Sequence, residues 1–119
     1  APYALAEAIT DADPEACDVV DCLSLWLAHA LMADETLSVE SLDPRLDVVV
    51  AAAIGRPGPT IVVSNEVGSG IVPDKLLGRS FRDLLGRANQ RFAAAADRAV
   101  LSVSGRLIEL GTPSETLRV

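Results

Sequence analysis

The chain has 119 residues, enough for one domain with one sizeable core, and half of them are apolar, which excludes a disordered segment. Only four aromatic residues occur (Tyr3, Trp26, Phe81 and Phe92), so no platform for stacking nucleobases is available. The formal net charge of -7 disfavours general nucleic-acid or membrane binding, yet it is unevenly spread: residues 1–50 carry eleven acids and one base, Arg45, whereas residues 51–119 carry six acids and nine bases.

The segment PYALAEAIT reads as a helix, with Pro2 suited to its first turn and Leu5, Ala6 and Ile9 forming a narrow apolar stripe. A polar DADPEA turn leads into Asp18-Val-Val-Asp21, a short buried strand ending in a carboxylate. The strongly helical LSLWLAHALM follows. After a polar connection over residues 33–43, Asp43-Pro44 is expected to cap and start a helix running to about Ile54, which Gly55-Arg-Pro-Gly-Pro59 terminates. Ile61-Val-Val63 is a second buried strand, and it enters the polar loop SNEVGSGIVP. From about Leu76 to Ala96, Phe81, Leu84, Leu85, Ala88, Phe92 and Ala95 recur at helical spacing. Ala99-Val-Leu-Ser-Val103 is a third strand, and Ser104-Gly-Arg106 turns the chain into a short extended piece from Leu107 to Leu110. Strands alternating with helices predict a mainly parallel α/β sheet with right-handed crossovers and the last short strand antiparallel at an edge. Such a sheet usually has more strands, so part of the domain is expected upstream of residue 1.

Cys17 and Cys22 flank the first strand five positions apart and would face opposite sides of it, which disfavours a disulfide. No CxxC or His/Cys spacing points to zinc. With no signal peptide and no apolar run long enough to span a membrane, a reducing cytoplasm is the expected location.

The residues that could carry chemistry gather around the strand ends. Asp21 stands where nucleotide-phosphate enzymes hold an Mg²⁺ carboxylate, although many acids merely end strands or cap helices. Ser24, just beyond, can cap the helix or reach a ligand. Ser64, Asn65 and Glu66 end the second strand together; Asn65 offers a donor and an acceptor, Glu66 suits a ribose hydroxyl, metal or cation, and Gly68 and Gly70 permit close backbone approach. The alternative is a loop that satisfies its own backbone. On the long helix, Arg79 and Arg82 lie nearest the amino end, where an anion also gains from the helix dipole. Asp83 can pair with Arg79, and Arg87 and Arg91 read equally as interface, solvated or catalytic residues. Asn89 departs from the apolar stripe and can hydrogen-bond a neighbouring strand or subunit. His29, the only histidine, lies in an apolar setting with no acid partner in sequence, and reads as a structural or surface residue before a catalytic one. No G-x-x-x-x-G-K-[ST] occurs, and Lys75, the sole lysine, has no glycine loop around it.

Two segments, VVDCLSLWLAHAL and VVSNEVGSGIVPDKLLGRSFRDLLGRANQRFAAAADRAVLSVSG, make the chain resemble the bifunctional adenosylcobinamide kinase / adenosylcobinamide-phosphate guanylyltransferase family of cobalamin biosynthesis. The resemblance implies a P-loop NTPase (RecA-like), mainly parallel sheet with flanking helices, assembled as a homotrimer, with residues 1–119 as the carboxyl-terminal portion of one such domain. It implies phosphorylation of adenosylcobinamide, then transfer of GMP from GTP to that phosphate through a histidine-bound intermediate, with GTP or ATP as substrate and Mg²⁺ as cofactor. In this light Asp21 is an expected Mg²⁺ and nucleotide contact and Ser24 a nearby hydroxyl contact. Ser64, Asn65, Glu66 and Gly68 belong to the hallmark loop. Arg79 and Arg82 are expected on phosphate or corrinoid, and Asn89 and Arg91 in packing or the trimer interface. The family's P-loop and guanylyl-accepting histidine precede the residues present here, and His29 does not fall at that histidine's place. Both steps are therefore expected to fail unless that upstream segment is supplied. A nucleotide- or corrinoid-binding module without turnover and a structural assembly subunit are the alternatives.

Overall fold

In a computed structural model that describes residues 4–66 and 76–117, the elements run α1 (Leu5–Asp11), β1 (Asp18–Asp21), α2 (Leu23–Ala33), α3 (Val39–Gly55), β2 (Thr60–Val63), α4 (Leu76–Ala95), β3 (Ala99–Val103), β4 (Arg106–Leu110) and α5 (Pro113–Leu117). Helices supply most of the core. In α2 the buried positions Leu23, Trp26, Leu27, Ala30 and Leu31 follow the 3.6-residue period, and in α3 Leu42, Leu46, Val49 and Val50 do the same. Leu84, Leu85 and Ala88 form the buried stripe of α4, with Phe81 and Phe92 packed at its margins. α1 packs on α3, and α4 packs on both α2 and α3. Ile9, Leu23, Leu27, Leu42, Leu46 and Leu85 are fully enclosed where these helices meet. Each such side chain contributes about 1.5–3 kcal/mol relative to an exposed position.

α3 begins earlier than the sequence indicates. The Ser38 hydroxyl accepts from the Ser41 amide, while Ser41 Oγ accepts from the Ser38 amide, so two amides of the first turn are satisfied reciprocally. Pro44 therefore lies inside the helix instead of starting it, held there by buried Leu42 and Leu46 on either side. The same helix carries Asp43 and Asp47 one turn apart, and α4 presents Arg87 and Arg91 at the same spacing. Arg87 grips Asp43 with two bonds of 2.9 Å (Nε to Oδ1, Nη2 to Oδ2), and Arg91 pairs with Asp47. The Arg87 bond holds the half-buried Asp43 carboxyl below its ordinary range, and the carboxylate in turn raises the guanidinium.

The expected mainly parallel, P-loop NTPase-like sheet is not what forms. Among the described residues two separate two-stranded sheets occur: β1 and β2 pair in parallel, with Asp18 opposite Thr60 and Asp21 opposite Val63, and β3 pairs antiparallel with β4. Ser104 (φ 51°) and Gly105 (φ 73°) both adopt the left-handed region that a tight two-residue hairpin turn requires. That turn delivers β4 to β3 at minimal loop-closure cost, so β3 finds a local partner and does not join β1 and β2. The architecture is thus mainly helical, with two small sheets attached.

The amino ends of β1 and β2 are fastened by one side chain. Arg56 Nη1 donates to the Pro59 carbonyl at 2.6 Å, and Nη2 donates to the carbonyls of Asp13 and Ala16 at 2.7 and 2.9 Å. Gly58 makes this closeness possible, since a Cβ there would lie 2.4 Å from the Ala16 oxygen. Both cysteine thiols are free. Among the described residues no helix is long and apolar enough to cross a membrane.

Candidate functional site at the carboxyl ends of the parallel strands

Parallel pairing brings the chain's polar strand ends to one place. Asp21 closes β1 opposite Val63, so the exposed Asp21 carboxylate lies beside the point where Ser64, Asn65 and Glu66 leave β2. Ligands bind at such carboxyl ends in open sheets because the strands stop there and the next helix has yet to cover them. Here the following helix α2 starts at once, with Ser24 in its first turn.

A chain of hydrogen bonds ties three elements together. Ser24 Oγ donates to Asn65 Oδ1 at 2.6 Å, joining α2 to the end of β2. Cys22 Sγ lies 3.1 Å from the same Ser24 hydroxyl. Because the hydroxyl hydrogen is spent on Asn65, the thiol is the donor of that contact. On the other side, Ser64 Oγ donates to Asn89 Oδ1 at 2.5 Å, and Asn89 Nδ2 donates to the Asn65 carbonyl at 2.9 Å. Both serine hydroxyls therefore spend their hydrogens within this network and can act toward any further group only as acceptors, while the Asp21 and Glu66 side chains at the same strand ends are exposed.

Ser24, Ser64 and Asn65 are thus drawn into one network, with Asp21 at its edge by strand register. Arg79 and Arg82 stand in the first half of α4, exposed and half-buried respectively. Gly68, Gly70 and Lys75 lie outside the described residues. One further participant, Cys22, comes from the structure. Asn89 hydrogen-bonds a neighbouring strand end, one of the two roles its departure from the apolar stripe allowed. Arg87 and Arg91 serve packing within the chain; their signal was the matching four-residue spacing of Asp43 and Asp47. His29 lines a groove of about 320 Å³ that follows the outer edge of β1 between α1 and α2, with Leu5, Ile9, Leu25 and Trp26 in its walls and Asp21 at its end. Arg45 stacks its guanidinium over the Trp26 ring, 5.6 Å from the centroid.

Among the described residues no three His, Cys, Asp or Glu side chains gather as a metal cage. The donors that are present, one strand-end carboxylate with hydroxyl lone pairs beside it, are hard oxygens. They fit Mg²⁺, which usually takes one or two protein carboxylates and completes its shell with water and substrate phosphate.

Hydroxyls and carboxamides thus join the ends of two parallel strands to α2 and α4, with a carboxylate closing β1. Comparison with known proteins supplies the class. A family model described as cobinamide kinase / cobinamide phosphate guanyltransferase matches residues 1–110, and the chain belongs to that family. It is 36% identical to the bifunctional adenosylcobalamin biosynthesis protein CobU of Salmonella typhimurium, over 80% of this chain and 58% of that protein. With the corresponding protein CobP of Pseudomonas aeruginosa the identity is 35%, over 87% of this chain and 59% of the relative. With CobU of Escherichia coli it is 32%, over 80% and 58%. The chain therefore spans somewhat less than three-fifths of these relatives' length.

Proposed function

We propose that this chain forms the strand-end part of the catalytic site of an adenosylcobinamide kinase / adenosylcobinamide-phosphate guanylyltransferase. The observation that carries the reading is the meeting of Asp21 with Ser24, Ser64, Asn65 and Glu66 at one end of the β1–β2 pair, in a chain of this family. Asp21 would hold Mg²⁺, and the hydroxyl oxygens of Ser24 and Ser64 would accept hydrogen bonds from bound nucleotide or water. Bound there, Mg²⁺ supplies charge neutralisation to a nucleotide triphosphate. Asn65 offers its amide hydrogens, and Glu66 its carboxylate, to the nucleotide or corrinoid, and Gly68 lets the loop backbone approach. Arg79 and Arg82 stabilise the negative charge that develops on the transferred group. Phosphoryl and nucleotidyl transfers depend on positioning and electrostatics more than on elaborate acid–base chemistry, which suits a site whose polar groups are hydroxyls, amides, carboxylates and arginines.

Adenosylcobinamide would accept the terminal phosphoryl group of GTP or ATP, releasing the nucleoside diphosphate, and its phosphate would then accept GMP from GTP, releasing pyrophosphate. Assembly as a homotrimer belongs to the same reading. The test is to incubate the polypeptide, as its gene encodes it, with adenosylcobinamide, Mg²⁺ and either nucleotide, and to follow products by mass. Adenosylcobinamide phosphate and then adenosylcobinamide-GDP are expected; neither product with either nucleotide overturns the reading. One observation favours a narrower role for residues 1–119 by themselves. They contain no G-x-x-x-x-G-K-[ST] cradle for the β- and γ-phosphates, so a polypeptide limited to them binds nucleotide or corrinoid without turnover. Calorimetry with GTP and with adenosylcobinamide on that polypeptide, alongside the product assay, separates the two roles.

A further inference from the structure

We propose that Asn89 is a positioning residue for this site: its carboxamide holds the end of β2 in place and thereby orients the groups that meet the ligand. This inference rests on the function proposed above and adds to it a residue that touches neither ligand nor metal. The carboxamide is used at both ends, accepting the Ser64 hydroxyl hydrogen at 2.5 Å and donating to the Asn65 carbonyl at 2.9 Å. Two consecutive residues are thus fixed by one side chain. Asn65 passes the restraint on, because its own amide oxygen accepts from Ser24 at 2.6 Å. The linked series runs from α4 through the end of β2 to the first turn of α2, and it brackets Asp21 on the strand between them.

Helix geometry explains why this residue can do so. At 3.6 residues per turn, Asn89 lies about 200° around α4 from Arg87, on the opposite flank. Arg87 and Arg91 tie one flank to Asp43 and Asp47 of α3, and Leu84, Leu85 and Ala88 fill the space between. The rotation of α4 is therefore fixed independently, and Asn89 works from a rigid base. Arg82 precedes Asn89 by seven residues, two turns along nearly the same stripe, so the flank anchored to Ser64 and Asn65 is the one that carries Arg82. Without Asn89, the Ser64 hydroxyl is free to rotate and turn its hydrogen toward the ligand, and the Asn65 backbone loses its only side-chain restraint from α4 among the described contacts.

The test uses the polypeptide as encoded, with Asn89→Ala, Asn89→Asp, Ser64→Ala and the double variant Ser64→Ala/Asn89→Ala. Asn89→Ala should lower kcat at least tenfold with KM for nucleotide changed less than threefold, while circular dichroism and the melting temperature stay close to wild type. Asn89→Asp keeps the acceptor for Ser64 but loses the donor to Asn65, and should fall between the two. Ser64→Ala removes both the hydroxyl's proposed ligand contact and its bond to Asn89, so the double variant should lose less than the two single losses combined. Equal turnover per folded molecule in Asn89→Ala, or fully additive losses in the double variant, would overturn the proposal. Hydrogen exchange over residues 64–66 supplies a reading independent of turnover. Asn89→Ala should accelerate it about tenfold, and unchanged exchange overturns the positioning role even if the wild type proves to have neither transfer activity. Wild-type inactivity with accelerated exchange would instead sink the proposed reaction and leave the structural link standing.

Discussion

The two ends of the β1–β2 pair are held together by different kinds of polar group. At the amino end, the Arg56 guanidinium donates to three backbone carbonyls, and Gly58 lets the loops come close enough for it to reach them. At the carboxyl end, side chains bond mainly to other side chains, and the carboxylates of Asp21 and Glu66 stay exposed. Backbone carbonyls accept whatever the sequence does, so the first arrangement spends its donors on holding loops together. The second keeps its carboxylates in contact with water, where their charge carries no desolvation cost. One end is a fastening; the other, in the function proposed above, receives the ligand.

Substitutions at the two ends should therefore fail in different ways. The largest effect is expected at the receiving end. Asp21→Ala should cut product formation by about 100-fold or more, because it removes a direct contact to the metal–nucleotide unit. Its melting temperature should stay within a few degrees of wild type, and a parallel loss of folding would erase the distinction drawn above. Next comes Arg56→Ala, which strands three carbonyls. It should destabilise by about 2–3 kcal/mol in urea titration. The fall in melting temperature should be roughly 10 °C, with residual turnover per folded molecule unaltered. Arg56→Lys should recover little, since an ammonium cannot span the same three acceptors in one fork.

A smaller, pH-dependent effect is expected where α3 and α4 meet. Hydrogen bonding from Arg87 depresses the folded-state pKa of Asp43 below its unfolded value. Its contribution is therefore complete above the unfolded value, near pH 4, and is lost as pH falls through the lower folded value. Stability measured from pH 6 down to pH 2 should decline less steeply for Asp43→Asn than for wild type; identical slopes would contradict the ion pair. The smallest change is expected in the hairpin. Glu109→Gln removes the exposed pair with Arg98 and should shift stability by less than about 1 kcal/mol.

Much of this molecule is legible in its sequence. The runs Asp18–Asp21, Ile61–Val63 and Ala99–Val103 are strands because β-branched residues favour extended backbone, but the burial expected of the first two does not follow: Val19, Ile61 and Val63 are exposed. α4 follows its apolar stripe from Leu76, ending at Ala95. Ser24, Ser64 and Asn65 share one hydrogen-bond network, and Asp21 ends the neighbouring strand. Pairing partners are harder to read, because a strand's own residues do not say which neighbour it will meet. The Ser104-Gly105 turn decided that for β3, and local closure prevailed over joining the parallel pair. The start of α3 was hidden by Pro44, which resembles a first-turn residue, while the Ser38/Ser41 box is written in less conspicuous letters. The arginine pairs on α4 needed both helices in register before their partners could be recognised.

The hairpin also sets an order of events. Residues 99–103 and 106–110 are joined by two residues, whereas β1 meets β2 across a register that pairs residue 18 with residue 60. A turn of the first kind closes in about 1–10 μs, well ahead of a contact that must wait for α2 and α3 to dock. Its side chains stay largely solvent-facing once formed, Leu107 at 70% exposure among them. The β3–β4 unit should therefore open and reclose on its own, exchanging its amides with water at a rate set by its own weak cohesion while the helical body stays shut.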